Sequence, residues 1–474
     1  MPDRIYHAPT DAPAGIVHLG LGAFFRAHAA IYVAEAMARS GGDWGIAGVS
    51  LQSPGTRDRL EPQGWAYHAV ELGPKGETPN LVTILRDVLV APEDPQAVLN
   101  VMAAPTTQIV SLTVTEKGYC HEPATGRLNR DHPDIAHDLG HDLPRSAPGF
   151  LVRALQVRRD AGLPPFTVLC CDNLPENGRV VRGVVLDLAR LIDPDLATWI
   201  EAQGAFPSTM VDRIVPATTE ADLDRLEAAT GQRDEAAVVH EPFRQWVVED
   251  AFCGPRPALE QVGVQMVADV TPFEHMKLRM LNGTHSALAY LGYLAGHETI
   301  ADTVADPVFA DFVQYLWRDE IIPALTPPPG EDLAAYADAL MARYRNPAIR
   351  HRTWQIAMDG SQKLPQRILG TVAENRAAGR AVPGLTMAVA GWIRYSSGRD
   401  ETGAPIEVKD PLAAKLAAQW TDEPAKTVAN YLALSEVFPP VLRDDEGFAK
   451  ELSDALTALL QQGARASISR ISRV

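Results

Sequence analysis

The feature that most constrains this chain lies near its start. Gly15-Ile16-Val17-His18-Leu19-Gly20-Leu21-Gly22 is an apolar run ending in a glycine turn. Ala23 to Arg39 then lacks proline and glycine and is rich in alanine, and Trp44–Leu51 (WGIAGVSL) is apolar again. These stretches read as strand, tight turn, helix and strand, a βαβ unit whose strands lie parallel in one sheet. In such a unit the first glycine of G-x-G permits the turn. The second lets the backbone approach a pyrophosphate seated on the helix N-terminus. Gly20 and Gly22 fill these two positions, and no third glycine follows. Arg26, one turn into the helix, is placed either for a charge-assisted contact to phosphate or for a solvated helix face. The second strand ends Val49-Ser50-Leu51-Gln52-Ser53, without the carboxylate that usually holds the adenosine ribose. Arg57 lies close enough in sequence to meet a 2′-phosphate, so NAD and NADP are both admitted.

Further strands are expected at Gln108–Thr115, Phe166–Cys171 and Asp212–Val215, with helices over Gly178–Leu191 and Glu220–Ala229. The segment Met266–Val270 closes this part. From Pro272 onward strand signals thin out and helical stretches dominate: Phe273–Leu294, Pro307–Ile322, Asp332–Tyr344, Leu412–Trp420 and Ala425–Leu434. Pro327-Pro328-Pro329-Gly330 reads as a loop between two of them. The expected architecture is an α/β domain over residues 1–268 followed by a mostly α-helical domain over 269–474.

Several function classes drop out on charge and composition. With 60 acidic against 43 basic residues and a net charge of -17, the surface repels a nucleic-acid backbone. No apolar stretch is long enough to span a bilayer, and the N-terminus MPDRIYHAPTDAPAG has no secretory h-region. The four cysteines, Cys120, Cys170, Cys171 and Cys253, form no CxxC pair and suit reduced thiols of a cytoplasmic protein. A soluble, cytoplasmic protein, monomeric or a small homo-oligomer, is expected.

The chemistry is concentrated in Thr271-Pro272-Phe273-Glu274-His275-Met276-Lys277-Leu278-Arg279-Met280-Leu281-Asn282-Gly283-Thr284-His285. Proline in the first turn suits a helix start. At about 100° per residue, Glu274, His285 and Asn282 lie roughly 60°, 80° and 140° from Lys277, all on one side. Oxidation of a secondary alcohol needs a base for the hydroxyl proton, and a partly desolvated lysine can act as one. Asn282 and His285 can donate hydrogen bonds to the reacting oxygen, and Glu274 can relay protons to solvent. Gly283 allows close approach by a neighbouring backbone. Spacing alone equally admits an amphipathic helix with an exposed lysine and a core histidine.

Taken together, HLGLGAFFRAH (His18–His28), SLTVTEKGY (Ser111–Tyr119), CDNLPENG (Cys171–Gly178), MVDRIVPAT (Met210–Thr218), EPFRQWVVED (Glu241–Asp250), KLRMLNGTH (Lys277–His285) and DGSQKLPQR (Asp359–Arg367) resemble the polyol-specific long-chain dehydrogenase (mannitol dehydrogenase) family, which includes mannitol, arabinitol and fructuronate enzymes. The resemblance implies a Rossmann-type first domain using NAD and a helical second domain, with no catalytic metal. The cofactor set it implies is Gly20, Gly22, Phe24 and Arg26. Its catalytic lysine, asparagine and histidine fall on Lys277, Asn282 and His285, and its proton-gating glutamate on Glu274. Its substrate-contacting residues fall on Asn173, Asp212 and Lys363. Two positions depart from the family pattern: Phe25 replaces a histidine before Arg26, and Gln355 replaces an arginine eight residues before Lys363. The GAF at Gly22–Phe24, EPFRQW with Arg244, and His351–Arg367 look more like members that interconvert D-fructuronate and D-mannonate. Arg244, Arg352 and Lys363 are then candidate partners for a substrate carboxylate. A neutral polyol such as mannitol or arabinitol is the alternative substrate, and a dinucleotide-binding sensor without turnover the remote one.

Overall fold

A computed structural model describes residues 3–8, 13–122 and 125–471 of the chain. It divides into two compact units, Met1–Thr271 and Pro272–Val474.

The first unit is built on five parallel strands: β1 (Ala14–Leu19), β2 (Gly45–Ser50), β3 (Leu85–Val90), β4 (Ile109–Leu112) and β5 (Thr167–Cys170), in the order β3-β2-β1-β4-β5. Residues of β2, β4 and β5 are buried throughout, as expected of a parallel sheet covered on both faces. From β1 the chain leaves to one side for β2 and β3, then returns to the other for β4 and β5. The strand order therefore reverses at β1, and a crevice opens beyond its carboxyl end, where such sheets bind ligands. Strand β3 (LRDVLV) was not expected from the sequence; its Arg86 and Asp87 interrupt the apolar signal. The strand expected at Asp212–Val215 instead covers Thr209–Asp212 and pairs antiparallel with Gln245–Glu249 in a separate three-stranded sheet. The helix expected from Ala23 to Arg39 breaks at His28 (φ -131°, ψ -91°) into Ala23–Ala27 and Ala29–Ser40. The buried His28 ring, Nε2 lying 3.0 Å from the Gln245 carbonyl, holds that break in place.

The second unit is helical, and among the described residues no strand lies beyond Val267. Its centre is Thr284–Leu294, buried around nearly its whole circumference, packed against Pro383–Ser396. Gly391 permits that approach: a Cβ there would lie 2.8 Å from Leu291. The buried Glu320 carboxylate accepts hydrogen bonds from the amides of Gly384 and Leu385, both 2.7 Å, satisfying donors at the start of Pro383–Ser396. Two of the long helices read from sequence are not α-helical throughout. Lys277–Gly283 and Leu316–Ile321 are wound as π-helix, as is Pro365–Leu369. No helix among the described residues is long and apolar enough to cross a membrane.

Candidate active site

In the first unit the glycine turn leaves β1 with Gly20 at φ +90°, a left-handed conformation that a side chain would strain. A Cβ on Gly20 would also run into the Thr113 carbonyl, whereas one on Gly22 would face nearly open space, 3.8 Å from its nearest neighbour. A hydrogen-bonded chain holds the turn. His18 Nδ1 lies 2.9 Å from Ser111 Oγ, its Nε2 lies 2.9 Å from Thr113 Oγ1, and that hydroxyl donates to the Gly20 carbonyl, also at 2.9 Å. Since Thr113 spends its proton on Gly20, it accepts from His18 Nε2–H, and Nδ1 accepts from Ser111. Burial pushes His18 down to about 3, in keeping with this neutral tautomer. Phe25, at the position where the family carries histidine, stacks on the His18 ring with centroids 3.4 Å apart.

A cavity of about 580 Å³ opens at this turn, lined by Gly20, Gly22, Ser50, Gln52, Thr113 and Ser146 among others. The turn fits a dinucleotide: its two glycines leave backbone exposed where a side chain would intrude, and Gly22 starts a helix with no side-chain cap on its first amides.

Three expectations for this unit are corrected. Arg26 does not reach a phosphate: its guanidinium is buried, donating to the Ala236 carbonyl and to Gly22 O (3.3 Å) and lying 5.4 Å from the Tyr67 ring centre. Arg57, offered to a 2′-phosphate, is paired with Asp58 at 2.8 Å and with Glu93. Arg244, offered to a substrate carboxylate, forks onto Glu35 at 3.0 and 2.6 Å and lies over the Tyr32 ring at 4.2 Å. Phe24 stacks on His28 with centroids 5.0 Å apart.

Asn173 lies in the loop after β5, three residues past its end, and is exposed. Its neighbour Asp172 accepts from the Val114 and Thr115 amides (2.8 and 3.2 Å) and from the Tyr119 hydroxyl (2.6 Å), tying the loops after β4 and β5 together. Asn177 donates to the Asp172 and Thr209 carbonyls (3.0 and 2.9 Å) and so clamps the other side. Asp212, 4 % exposed, ends its strand opposite Gln245.

In the second unit Lys277 opens the π-wound segment and is 9 % exposed; His285, just past its end, is 6 % exposed. The winding alters the expected geometry. At α-helical pitch Lys277 and Asn282 stand about 140° apart, but i→i+5 bonding widens each turn and so brings residues five apart closer together around the axis. Side chains add donors to the carbonyls of this segment: Trp317 Nε1 and Thr284 Oγ1 to Met280 O (2.9 and 2.5 Å), and Tyr344 Oη to Leu281 O (3.0 Å), which also accepts from the Thr284 amide. The His285 ring packs on Tyr344 at 4.6 Å and meets His351 edge-on at 5.3 Å. Burial holds His285 far below its ordinary pKa, and His351, Arg343 and Arg367 push the same way, so its ring is neutral. Glu274 stands upstream of Lys277 in Thr271–Met276, partly exposed.

Lys363, in Gly360–Leu364, donates to Met358 O at 2.7 Å, and burial, reinforced by Arg367, brings it down to about 8. Arg352 is corrected as Arg244 was: its side chain is 56 % exposed and lies 3.7 Å from Glu298. Sequence reasoning missed His351, Tyr344 and Arg367, which gather around His285. Arg367 closes the motif DGSQKLPQR, but nothing in that spacing says which of its residues face the lysine segment.

Two family models match the chain: the mannitol dehydrogenase Rossmann domain over residues 14–261 and the mannitol dehydrogenase C-terminal domain over 269–460. D-mannonate oxidoreductase of Escherichia coli is 47 % identical over 464 residues, covering 96 % of this chain and 95 % of that protein. A mannitol 2-dehydrogenase of Phaeosphaeria nodorum is 40 % identical, covering 96 % and 81 %. The ternary complex of Pseudomonas fluorescens mannitol 2-dehydrogenase with NAD and D-mannitol superposes with a TM-score of 0.87 at 37 % identity, covering 100 % of this chain and 97 % of that one.

Proposed function

The chain belongs to the mannitol dehydrogenase family, and we propose that within it this protein interconverts D-mannonate and D-fructuronate with NAD, Lys277 serving as acid/base. As a member it is an oxidoreductase acting on a secondary alcohol of a polyol or sugar acid.

The observation that carries the sugar-acid reading is the charge around His285. Among its electrostatic neighbours is the Arg367 guanidinium, with Lys363 beside it, while the adjacent His351 is itself held neutral by burial. A neutral polyol gains nothing from such a cationic surround, whereas a carboxylate neutralises it. The identity to a D-mannonate oxidoreductase supports the same choice.

In the oxidative direction Lys277 takes the proton from the C5 hydroxyl of D-mannonate. Asn282 and the neutral His285 each offer one N–H to the same oxygen, holding it while its charge grows. Because His285 is neutral, it orients this oxygen without adding a further cation beside the base. The nicotinamide, when bound, supplies the hydride acceptor. Glu274 passes the proton outward from Lys277. In the reverse direction Lys277 returns the proton to the carbonyl oxygen of D-fructuronate.

Initial rates of NADH oxidation with D-fructuronate, D-fructose and D-xylulose test the assignment. The highest kcat/KM is expected on D-fructuronate; turnover of the ketoses with none of the uronate would refute it.

A further inference from the structure

We propose that Arg367 binds the substrate's carboxylate and thereby sets the preference for a sugar acid over a neutral polyol, a proposal that rests on the sugar-acid reading above.

Two contacts fix Arg367 against the lysine segment. Its main-chain oxygen lies where a side chain on residue 283 would point, 2.7 Å from the position of a Cβ built on Gly283. Its guanidinium donates to Ser286 Oγ at 3.1 Å, and Ser286 immediately follows His285. Arg367 is therefore anchored at both ends to the stretch Asn282–Ser286, whatever its own flexible stem does.

What the guanidinium lacks is equally informative. It carries five N–H donors, and among the described residues the Ser286 hydroxyl is the acceptor it meets; it makes no ion pair there. In a chain with a net charge of -17 the comparison is sharp. Arg244, Arg279, Arg376 and Arg233 each meet carboxylates. The buried Arg158 and Arg213 instead donate to backbone carbonyls, Arg158 to those of Pro164, Ala104 and Thr107. Arg367 has neither kind of satisfaction. Burial pushes its guanidinium below its ordinary range, and the groups opposing that shift are the phenols of Tyr290 and Tyr344.

Lys363 is less suited to the same task. Its ammonium already donates to Met358 O and feels Asp359 and Asp410. A guanidinium fork also matches a planar carboxylate with two parallel N–H···O bonds, which an ammonium does not.

The test compares wild type with Arg367→Gln and Arg367→Lys on D-fructuronate and D-fructose. Truncating one partner of a desolvated, hydrogen-bonded charge pair is a large loss. The ratio of kcat/KM for the uronate to that for the ketose is accordingly expected to fall roughly 100-fold in Arg367→Gln and to recover partly in Arg367→Lys. An equal loss on both substrates would mean a structural role and overturn the proposal, as would an unchanged ratio. If Arg367→Gln does not fold, Arg367→Lys decides, since loss of the fork alone should still lower the ratio. Wild type turning over only the ketose would defeat the substrate assignment separately. D-mannonate inhibition of fructose reduction would then decide the carboxylate site: weakening about tenfold or more in Arg367→Gln supports it, and inhibition unchanged or absent overturns it.

Discussion

Gly283→Ala puts the crossing of two π-wound segments to a quantitative test. Two opposing terms set the outcome. Alanine is favoured over glycine inside a helix by about 1 kcal/mol. Against this, the new Cβ would lie 2.7 Å from the Arg367 carbonyl oxygen, when ordinary carbon–oxygen contacts sit near 3.3–3.6 Å. The obstacle is a main-chain atom within Pro365–Leu369, so no rotamer change relieves it and backbone must shift by about 0.6 Å or more. Overpacking of this kind costs about 1–3 kcal/mol, and a clash of backbone on backbone belongs at the upper end. The net expectation is a loss of about 2 kcal/mol, or about 4–8 °C in Tm for a unit of this size. Gly370→Ala is the control: its Cβ would stand 3.8 Å from Pro365 O, an ordinary contact, so the helical term alone should leave it as stable as wild type or slightly more so. Thermal unfolding of both variants beside wild type reads the difference. Since the same shift moves Arg367 relative to Asn282 and His285, kcat/KM on D-fructuronate should also fall about tenfold or more. A Gly283→Ala protein as stable and active as Gly370→Ala would refute the reasoning.

Two further expectations follow from the same groups. Lys277→Met should lower kcat by about 10³-fold or more while NAD titration gives an unchanged Kd, because the glycine-turn cavity does not include residue 277; retained turnover, or loss of NAD binding with it, would remove Lys277 from the role of base. The second concerns acid. Burial depresses His18 and His28 to about 3 and His240 and His351 to about 4, and it also holds His285 well below the ordinary 6.5. Between those values and 6.5 the unfolded chain binds more protons than the folded one, so the stability of keeping these rings neutral is present above 6.5 and lost as pH falls through the window, by up to about 1.4 kcal/mol per pH unit for each histidine. Urea unfolding at pH 7 and pH 5 should show the decline, and His351→Gln should make it shallower; equal stability at the two pH values would contradict it.

What could be read from sequence divides along physical lines. The βαβ start was legible because an apolar run, a glycine pair and an alanine-rich stretch are local signals. Strand β3 was not, since Arg86 and Asp87 break its pattern. The lysine segment was legible as a polar cluster on a helix, but its pitch was not: apolar periodicity presupposes a winding, and the π turns depend on Trp317 and Tyr344, which lie far along the chain. The arginines show the same limit. Arg244 is held by a glutamate 209 positions away, and Arg26 by a carbonyl 210 positions away, so their residue type suggested ligand binding where their neighbours had already engaged them.

The π winding also explains why this cluster has to be assembled from distant parts. Each widened turn takes a carbonyl away from its usual amide, and an orphaned buried carbonyl is expensive. Met280 O accepts from Trp317 and Thr284, Leu281 O accepts from Tyr344 as well as from the Thr284 amide, and Tyr344 also packs on His285. One tyrosine thus supports the winding that brings Asn282 closer to Lys277 around the axis and packs on the His285 ring. Gly283, between them, admits the backbone that carries Arg367. Reverting the segment to α pitch would separate Lys277 from Asn282 and strand those donors together, so the winding, the neutral histidine and the unneutralised arginine are parts of one arrangement rather than three coincidences along a helix.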